Sequence, residues 1–183
     1  MSAADAAVVA AEDFAARSPE TTRSRTLTWQ DPLASAAAGA ELAGIDYLRA
    51  IVAGEIPPPP IAVMLRAAPV EIADGRVIFE GHPGEEHYNP IGVVHGGYAS
   101  TLLDSVIGCA VHTTLPAGVA YATLTLEVKF VRPITGDTGA VRAEAEVIHR
   151  GRRQATAEAK LVAADSGKLL AHATSTCMIL GAP

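Results

Sequence analysis

The stretch His95-Gly96-Gly97-Tyr98-Ala99-Ser100-Thr101-Leu102-Leu103-Asp104-Ser105-Val106-Ile107-Gly108-Cys109-Ala110-Val111-His112-Thr113-Thr114-Leu115 decides the fold. Its apolar residues Ala99, Leu102, Leu103, Val106, Ile107 and Ala110 recur at helical spacing, which predicts one well-buried helix of about four turns. Everything after it reads as strand. In YATLTLEVKFV (121–131), Ala122, Leu124, Leu126, Val128 and Phe130 alternate with Tyr121, Thr123, Thr125, Glu127 and Lys129. That is period two without a slip. VRAEAEVIHR, RQATAEAKLVA and KLLAHATSTCMIL continue the pattern, with ITGDTG, RGR and ADSG as the turns.

Upstream of the helix, APVEIA and RVIFEG flank Asp74-Gly75, a strong hairpin signal. The order is strand, strand, one helix, then four strands. Short connections make neighbouring strands antiparallel. One helix cannot cover two sheets, so the expected architecture is α+β. A single curved antiparallel sheet of about six strands wraps around the central helix. Residues 1–55 read as a partly helical extension and residues 56–183 as the domain. Within the extension, ELAGIDYLRAIVAG predicts a short amphipathic helix ending at Gly54. Pro57 to Pro60 predict a stiff linker, with a short helix over Ile61 to Leu65. Trp29, before Asp31-Pro32, is expected to dock on the domain.

Composition narrows the function. The chain carries 14 basic and 20 acidic side chains, a formal charge of −6, which disfavours a nucleic-acid partner. The charge is uneven: residues 1–127 hold 6 basic and 15 acidic groups, and residues 128–160 hold 7 and 4. A local basic patch fits a small anionic ligand, or simply strand-edge Lys and Arg. Cys109 and Cys177 make no disulfide framework and fit a reduced compartment. The N-terminus lacks a basic region before an apolar one, and no apolar run reaches the length of a membrane span. The expectation is a cytoplasmic protein with no membrane partner.

Chemistry concentrates in Asn89 to Asp104. Asp104 falls mid-helix, where an Asp gains nothing from capping and has poor propensity. It lies off the core stripe beside Ser100, Thr101 and Gly108, either as a solvated side chain or where another surface packs close. Gly96-Gly97 opens the helix with free N–H groups suited to an oxyanion or a polarised carbonyl. His95 fits a base, a ligand or a packing role. No second His or Cys lies at ligand spacing, so no metal site and no cofactor are expected. Asn89 fits either a turn at Asn-Pro or a group holding water or a carbonyl.

Asn89, Gly92, His95-Gly96-Gly97 and Asp104 together resemble the signature of the hotdog-fold acyl-CoA thioesterases, specifically the PaaI-like phenylacetic-acid-degradation group. The pattern N-x-x-G-x-x-H-G-G, with an acid seven residues after the last glycine, is matched without a gap. The similarity continues through FVRP (130–133) and the following strands. The resemblance implies a hotdog fold and hydrolysis of acyl-CoA to free acid and CoA. It implies Asp104 as base or nucleophile and the Gly96 N–H as the group polarising the carbonyl. Asn89 would position water or the carboxylate, His95 would orient the loop or thioester, and Thr123 would support the site. Gly97, Arg132, Arg150, Arg152 and Arg153 are candidates for substrate binding, the arginines for the CoA phosphates. A non-catalytic acyl-CoA-binding regulator and a 3-hydroxyacyl thioester dehydratase are the alternatives.

The assembly expectation combines these roles with helix geometry. Eight residues separate Gly96 from Asp104, about 12 Å along a helix. The reacting atoms must lie within about 3–3.5 Å of both groups. A second chain with its helix reversed repairs this, giving a homodimer with composite sites, paired further into a homotetramer.

Overall fold

The computed structural model describes residues 23–181. Three short helices, α1 (Pro32–Ala40), α2 (Gly44–Val52) and α3 (Pro60–Leu65), precede the hairpin β1 (Ala67–Ala73) and β2 (Arg76–Gly81). The long helix α4 (Gly96–Thr113) follows, then β3 (Ala120–Phe130), β4 (Val141–Arg150), β5 (Gln154–Ala163) and β6 (Leu169–Leu180). All six strands form one antiparallel sheet, in the order β1-β2-β4-β5-β6-β3. This is the expected hotdog arrangement, with α4 lying across the sheet. Part of the extension, residues 1–22, lies outside the described residues. Among the described residues no helix is long and apolar enough to cross a membrane.

The division of side chains between helix and sheet explains why α4 can lie so close. The sheet presents small residues: Ala143, Ala145, Ala155, Ala157, Ala159 and Ala173 are all buried. The helix supplies the bulk, with Leu102, Leu103, Val106, Ile107 and Val111 fully buried. Each such side chain contributes roughly 1.5–3 kcal/mol on leaving water. The C-terminal end of α4 is also tied. Thr113 accepts from Gly75 N–H of the β1–β2 turn at 2.8 Å, and Gly75 takes the left-handed φ of +70° that this turn requires. Pro116 follows and cannot extend the helix.

Three expectations need correction. The central helix has 18 residues, five turns rather than four. Trp29 does not dock on the domain: it is 60% exposed. The described part of its segment is held by Arg25 instead, whose guanidinium bonds Val63 O and Met64 O. Finally, β3 does slip. Thr123 pairs with Cys177 but Thr125 pairs with Thr176, so Leu124 is an extra residue in a bulge. Before it Tyr121 packs on the core; after it Leu126 and Val128 do. Leu124, expected inside, is 47% exposed. A bulge exchanges the two faces of a strand, and here it turns Thr123 toward α4.

Candidate active site

The start of α4 is built by its own loop. Asn89 Oδ1 accepts from Ile91 N–H at 3.1 Å and Val93 N–H at 3.2 Å, folding the loop back on itself. Of its two expected roles, the turn is the one its oxygen fills. Tyr88 and Val94 bridge, and His95 N–H donates to His87 O at 2.8 Å, which fixes where the helix begins. His95 is the N-cap, and its Nδ1 accepts from Gly97 N–H at 2.8 Å. A neutral ring with Nδ1 accepting carries its proton on Nε2, so His95 presents a donor there.

The two glycines therefore do different things. The Gly97 N–H is used by His95 and is not free, against the expectation of two open N–H groups. A Cβ on Gly97 would stand 2.8 Å from His95 Nδ1. The Gly96 N–H has no acceptor among the described residues, at the positive end of α4. A Cβ on Gly96 would stand 3.1 Å from Phe130 Cζ, so glycine lets this aromatic ring lie against the helix start. A cavity of about 320 Å³ opens there, lined by Val94, Gly96, Ala99, Phe130, Arg132 and Leu170 among others. Arg132 borders it while donating to Leu169 O at 2.7 Å.

Asp104 sits halfway along α4 and is partly buried. Its Oδ1 accepts from Thr123 Oγ1 at 3.0 Å. Its Oδ2 has no donor among the described residues. One turn further on, the Tyr121 ring lies on Gly108, its hydroxyl 2.5 Å from where a Cβ would stand. The ring of His112 follows, with centroids 5.5 Å apart. Burial pushes the Cys109 thiol up to about 12, with the Asp104 charge adding to it, so this neighbour stays protonated. Burial likewise raises Tyr121 well above its ordinary value and lowers His112. Around Asp104 these groups are neutral at pH 7.

The sheet brings the other candidates to this same end. Arg150 pairs with Ala155, Ala155 with Cys177, and Cys177 with Thr123. Arg150, Arg152 and Arg153 are exposed there, in and beside the β4–β5 turn. The candidate residues thus fall into two groups. Asn89, His95, Gly96, Gly97 and Arg132 gather at the N-terminus of α4, with Asp104 and Thr123 about 12 Å along it. Sequence reading missed Phe130 over Gly96 and Tyr121 over Gly108; the glycines were the available signal for both.

Both the sequence and the fold match known proteins. The profile of the thioesterase superfamily matches residues 91–170. A relative from Halobacterium salinarum is 42% identical over 82 residues, covering 44% of this chain; the chain spans about half of that relative's length, 48%. Human acyl-coenzyme A thioesterase 13 is 31% identical over 107 residues, covering 58% of this chain and 75% of the human protein. The structure of a phenylacetic acid degradation-related protein from Ralstonia eutropha JMP134 is 32% identical with a TM-score of 0.66, covering 72% of this chain and 98% of that one. The chain belongs to the thioesterase superfamily, the hotdog-fold thioester hydrolases.

Proposed function

We propose that the protein hydrolyses an acyl-CoA thioester to the free acid and CoA in a composite site between two chains. The observation that carries this reading is the pairing of two unused groups on α4: the open Gly96 N–H and the Thr123-held Asp104 carboxylate. A thioester carbonyl polarised by an N–H needs only an activated water, with no triad. Asp104 Oδ2 takes the proton as water oxygen bonds to the carbonyl carbon. The C–S bond then breaks, and CoA leaves as a thiolate that takes up a proton. In this reading His95 Nε2–H donates to the same carbonyl or to the loop. The arginines at 150, 152 and 153 suit the CoA phosphates. Human acyl-coenzyme A thioesterase 13 supports the choice of acyl-CoA by its name.

The edge strand β3 supports the dimer. This 11-residue strand is an edge of the sheet, with one side unpaired among the described residues. Along it, Thr123 marks the position of Asp104 and Phe130 that of Gly96. Antiparallel pairing of two β3 strands about a two-fold axis near Leu126 and Glu127 sets Thr123 of one chain opposite Phe130 of the other. Asp104 of one protomer then faces Gly96 of its partner, twice per dimer. Two such dimers pair into the tetramer. In this reading residues 56–183 form the catalytic domain, residues 1–55 precede it, and Cys109 and Cys177 remain free thiols in the cytoplasm.

The test is thiol release from a panel of acyl-CoAs, followed by complementation. Asp104→Asn should lose on the order of 10²–10⁴-fold in rate. Gly96→Pro removes the N–H at a helix position whose backbone tolerates proline, since His95 already has the extended backbone that precedes one (φ −61°, ψ 139°). It should lose roughly 10²–10³-fold. Gly96→Ala, which adds the same Cβ 3.1 Å from Phe130 Cζ but keeps the N–H, is its control and should retain more activity. Subunit exchange between the two inactive variants should restore one working site in each heterodimer. No recovery despite demonstrated exchange overturns the composite site. Enoyl formation from a 3-hydroxyacyl-CoA without thiol release would assign a dehydratase.

A further inference from the structure

We propose that Arg25, in the extension outside the matched family region, is a positioning residue that fixes the start of α4 through a chain of hydrogen bonds. The proposal rests on the reading of Gly96 N–H as the group that polarises the thioester. Arg25 Nη2 donates to Val63 O at 2.7 Å, and Nη1 donates to Met64 O at 3.2 Å and to Glu86 Oε1 at 3.1 Å. Met64 O also accepts from His87 Nε2 at 3.1 Å. The His87 ring is held on its other side by Gly84 N–H, which donates to Nδ1 at 3.0 Å. His87 O accepts from His95 N–H, and His95 Nδ1 accepts from Gly97 N–H. Four hydrogen bonds thus run from the guanidinium to His95 and Gly97, the residues on either side of Gly96.

A second set of contacts closes the loop. Tyr98, in the first turn of α4, donates to Leu65 O at 3.0 Å. Its ring lies 4.7 Å from that of His87. The last turn of α3 therefore touches both the cap loop and the first turn of α4, and Arg25 ties its carbonyls to Glu86 at hydrogen-bond distance. Arginine suits the place. Carbonyls at a helix C-terminus are short of intrahelical partners, and Val63 O has only a long bond from Arg66 N–H at 3.3 Å; a planar fork can serve it, Met64 O and a carboxylate together. An exposed Arg–Glu pair alone contributes little. Here two of three bonds go to backbone oxygens, and the side chain is only 32% exposed. Arg66 reinforces the same carboxylate at 3.7 Å, and Arg23 pairs with Glu85 at 2.7 Å. The Glu86 carboxyl lies below its usual range, first through its own backbone N–H, with His87, Arg25 and Arg66 adding to the effect.

The experiment uses the full chain as wild type, Arg25→Ala, Arg25→Lys and Glu86→Gln. Backbone hydrogen exchange is followed over residues 84–98 and over Leu102–Val111, alongside steady-state thiol release. Arg25→Ala should speed exchange over 84–98 by about 10-fold and leave Leu102–Val111 unchanged. It should lower kcat by about 5- to 20-fold with KM within about twofold, since misplacing a polarising N–H affects the transition state. Lysine, which cannot span all three acceptors, should fall between, as should Glu86→Gln. Unchanged exchange over 84–98 overturns the proposal. So does equal acceleration over Leu102–Val111, which would mean general loosening, and so does an unchanged kcat beside faster exchange. If the wild type releases no thiol from any acyl-CoA, the thioesterase reading fails, and exchange alone decides whether Arg25 holds the helix start.

Discussion

Thr123 Oγ1 donates to Asp104 Oδ1 at 3.0 Å, a bond from β3 to the middle of α4. It fixes one carboxylate oxygen, and the other has no donor among the described residues; in the proposed mechanism that oxygen takes the proton of water. A hydrogen bond to a charged group contributes about 1.5–3 kcal/mol when buried, and less at an exposed Thr. Thr123→Val keeps the shape and removes the donor. The expected outcome is a kcat about 10-fold lower with KM within about twofold, and near-full recovery in Thr123→Ser. Steady-state kinetics on one acyl-CoA decide it; equal activity in Thr123→Val would free the hydroxyl from the mechanism.

Gly108 is the floor on which Tyr121 rests. An added Cβ would meet the Tyr121 hydroxyl at 2.5 Å and its Cε2 at 2.8 Å. Gly108→Ala gains helix propensity but forces a packed ring to shift, which costs about 1–3 kcal/mol. Thermal unfolding should show a lower Tm. Tyr121→Phe should not rescue it, because the ring carbon clashes as well as the hydroxyl. A Tm equal to wild type would show that the ring moves freely.

Arg150 and Arg152 test the polar end of the substrate. Replacing both with Ala should raise KM for acyl-CoA by about 10-fold and change kcat little. Phosphate contacts serve ground and transition states alike. With the same acyl group on pantetheine the effect should vanish. Equal losses on both substrates would assign the arginines another role.

Alkaline pH should weaken the fold. Burial raises Tyr98 and Tyr121, and it pushes Cys109 from an ordinary value near 9 to about 12. Above pH 9 the unfolded thiol has lost its proton while the folded one keeps it, so the unfolded state binds fewer protons and stability falls as pH rises. The contribution is complete below about pH 9 and lost progressively toward 12. At pH 10.5 the loss from Cys109 alone is about 2 kcal/mol. Urea midpoints at pH 8 and 10.5 measure it; Cys109→Ala should show a smaller drop. Equal midpoints in the wild type would contradict the burial of these groups.

Much of this was legible from particular residues. Leu102, Leu103, Val106 and Ile107 announced α4, and Asp104 stood out because a mid-helix Asp off the core stripe lacks a local reason to be there. Asp74-Gly75 announced the hairpin. The slip in β3 was hidden because YATLTLEVKFV alternates perfectly in either phase. Only the partner strand shows that Cys177 and Thr176, adjacent on β6, face Thr123 and Thr125. Arg25 was hidden for another reason. Its acceptors lie 38, 39 and 61 residues away, and no local periodicity encodes contacts at that range. Trp29 misled because size was taken as a guide to burial, when 60% of the residue stays exposed.

The extra residue at Leu124 divides β3 into two segments of opposite parity. Odd-numbered residues face α4 ahead of it and even-numbered ones after it. Chain length, as much as residue type, therefore decides whether a hydroxyl meets Asp104. A family member one residue shorter here would present its neighbour instead, whatever its residue at the aligned position. Aligning relatives by identity alone would then pair a supporting threonine with a residue that faces solvent, so the parity of this strand is the character to compare across the family.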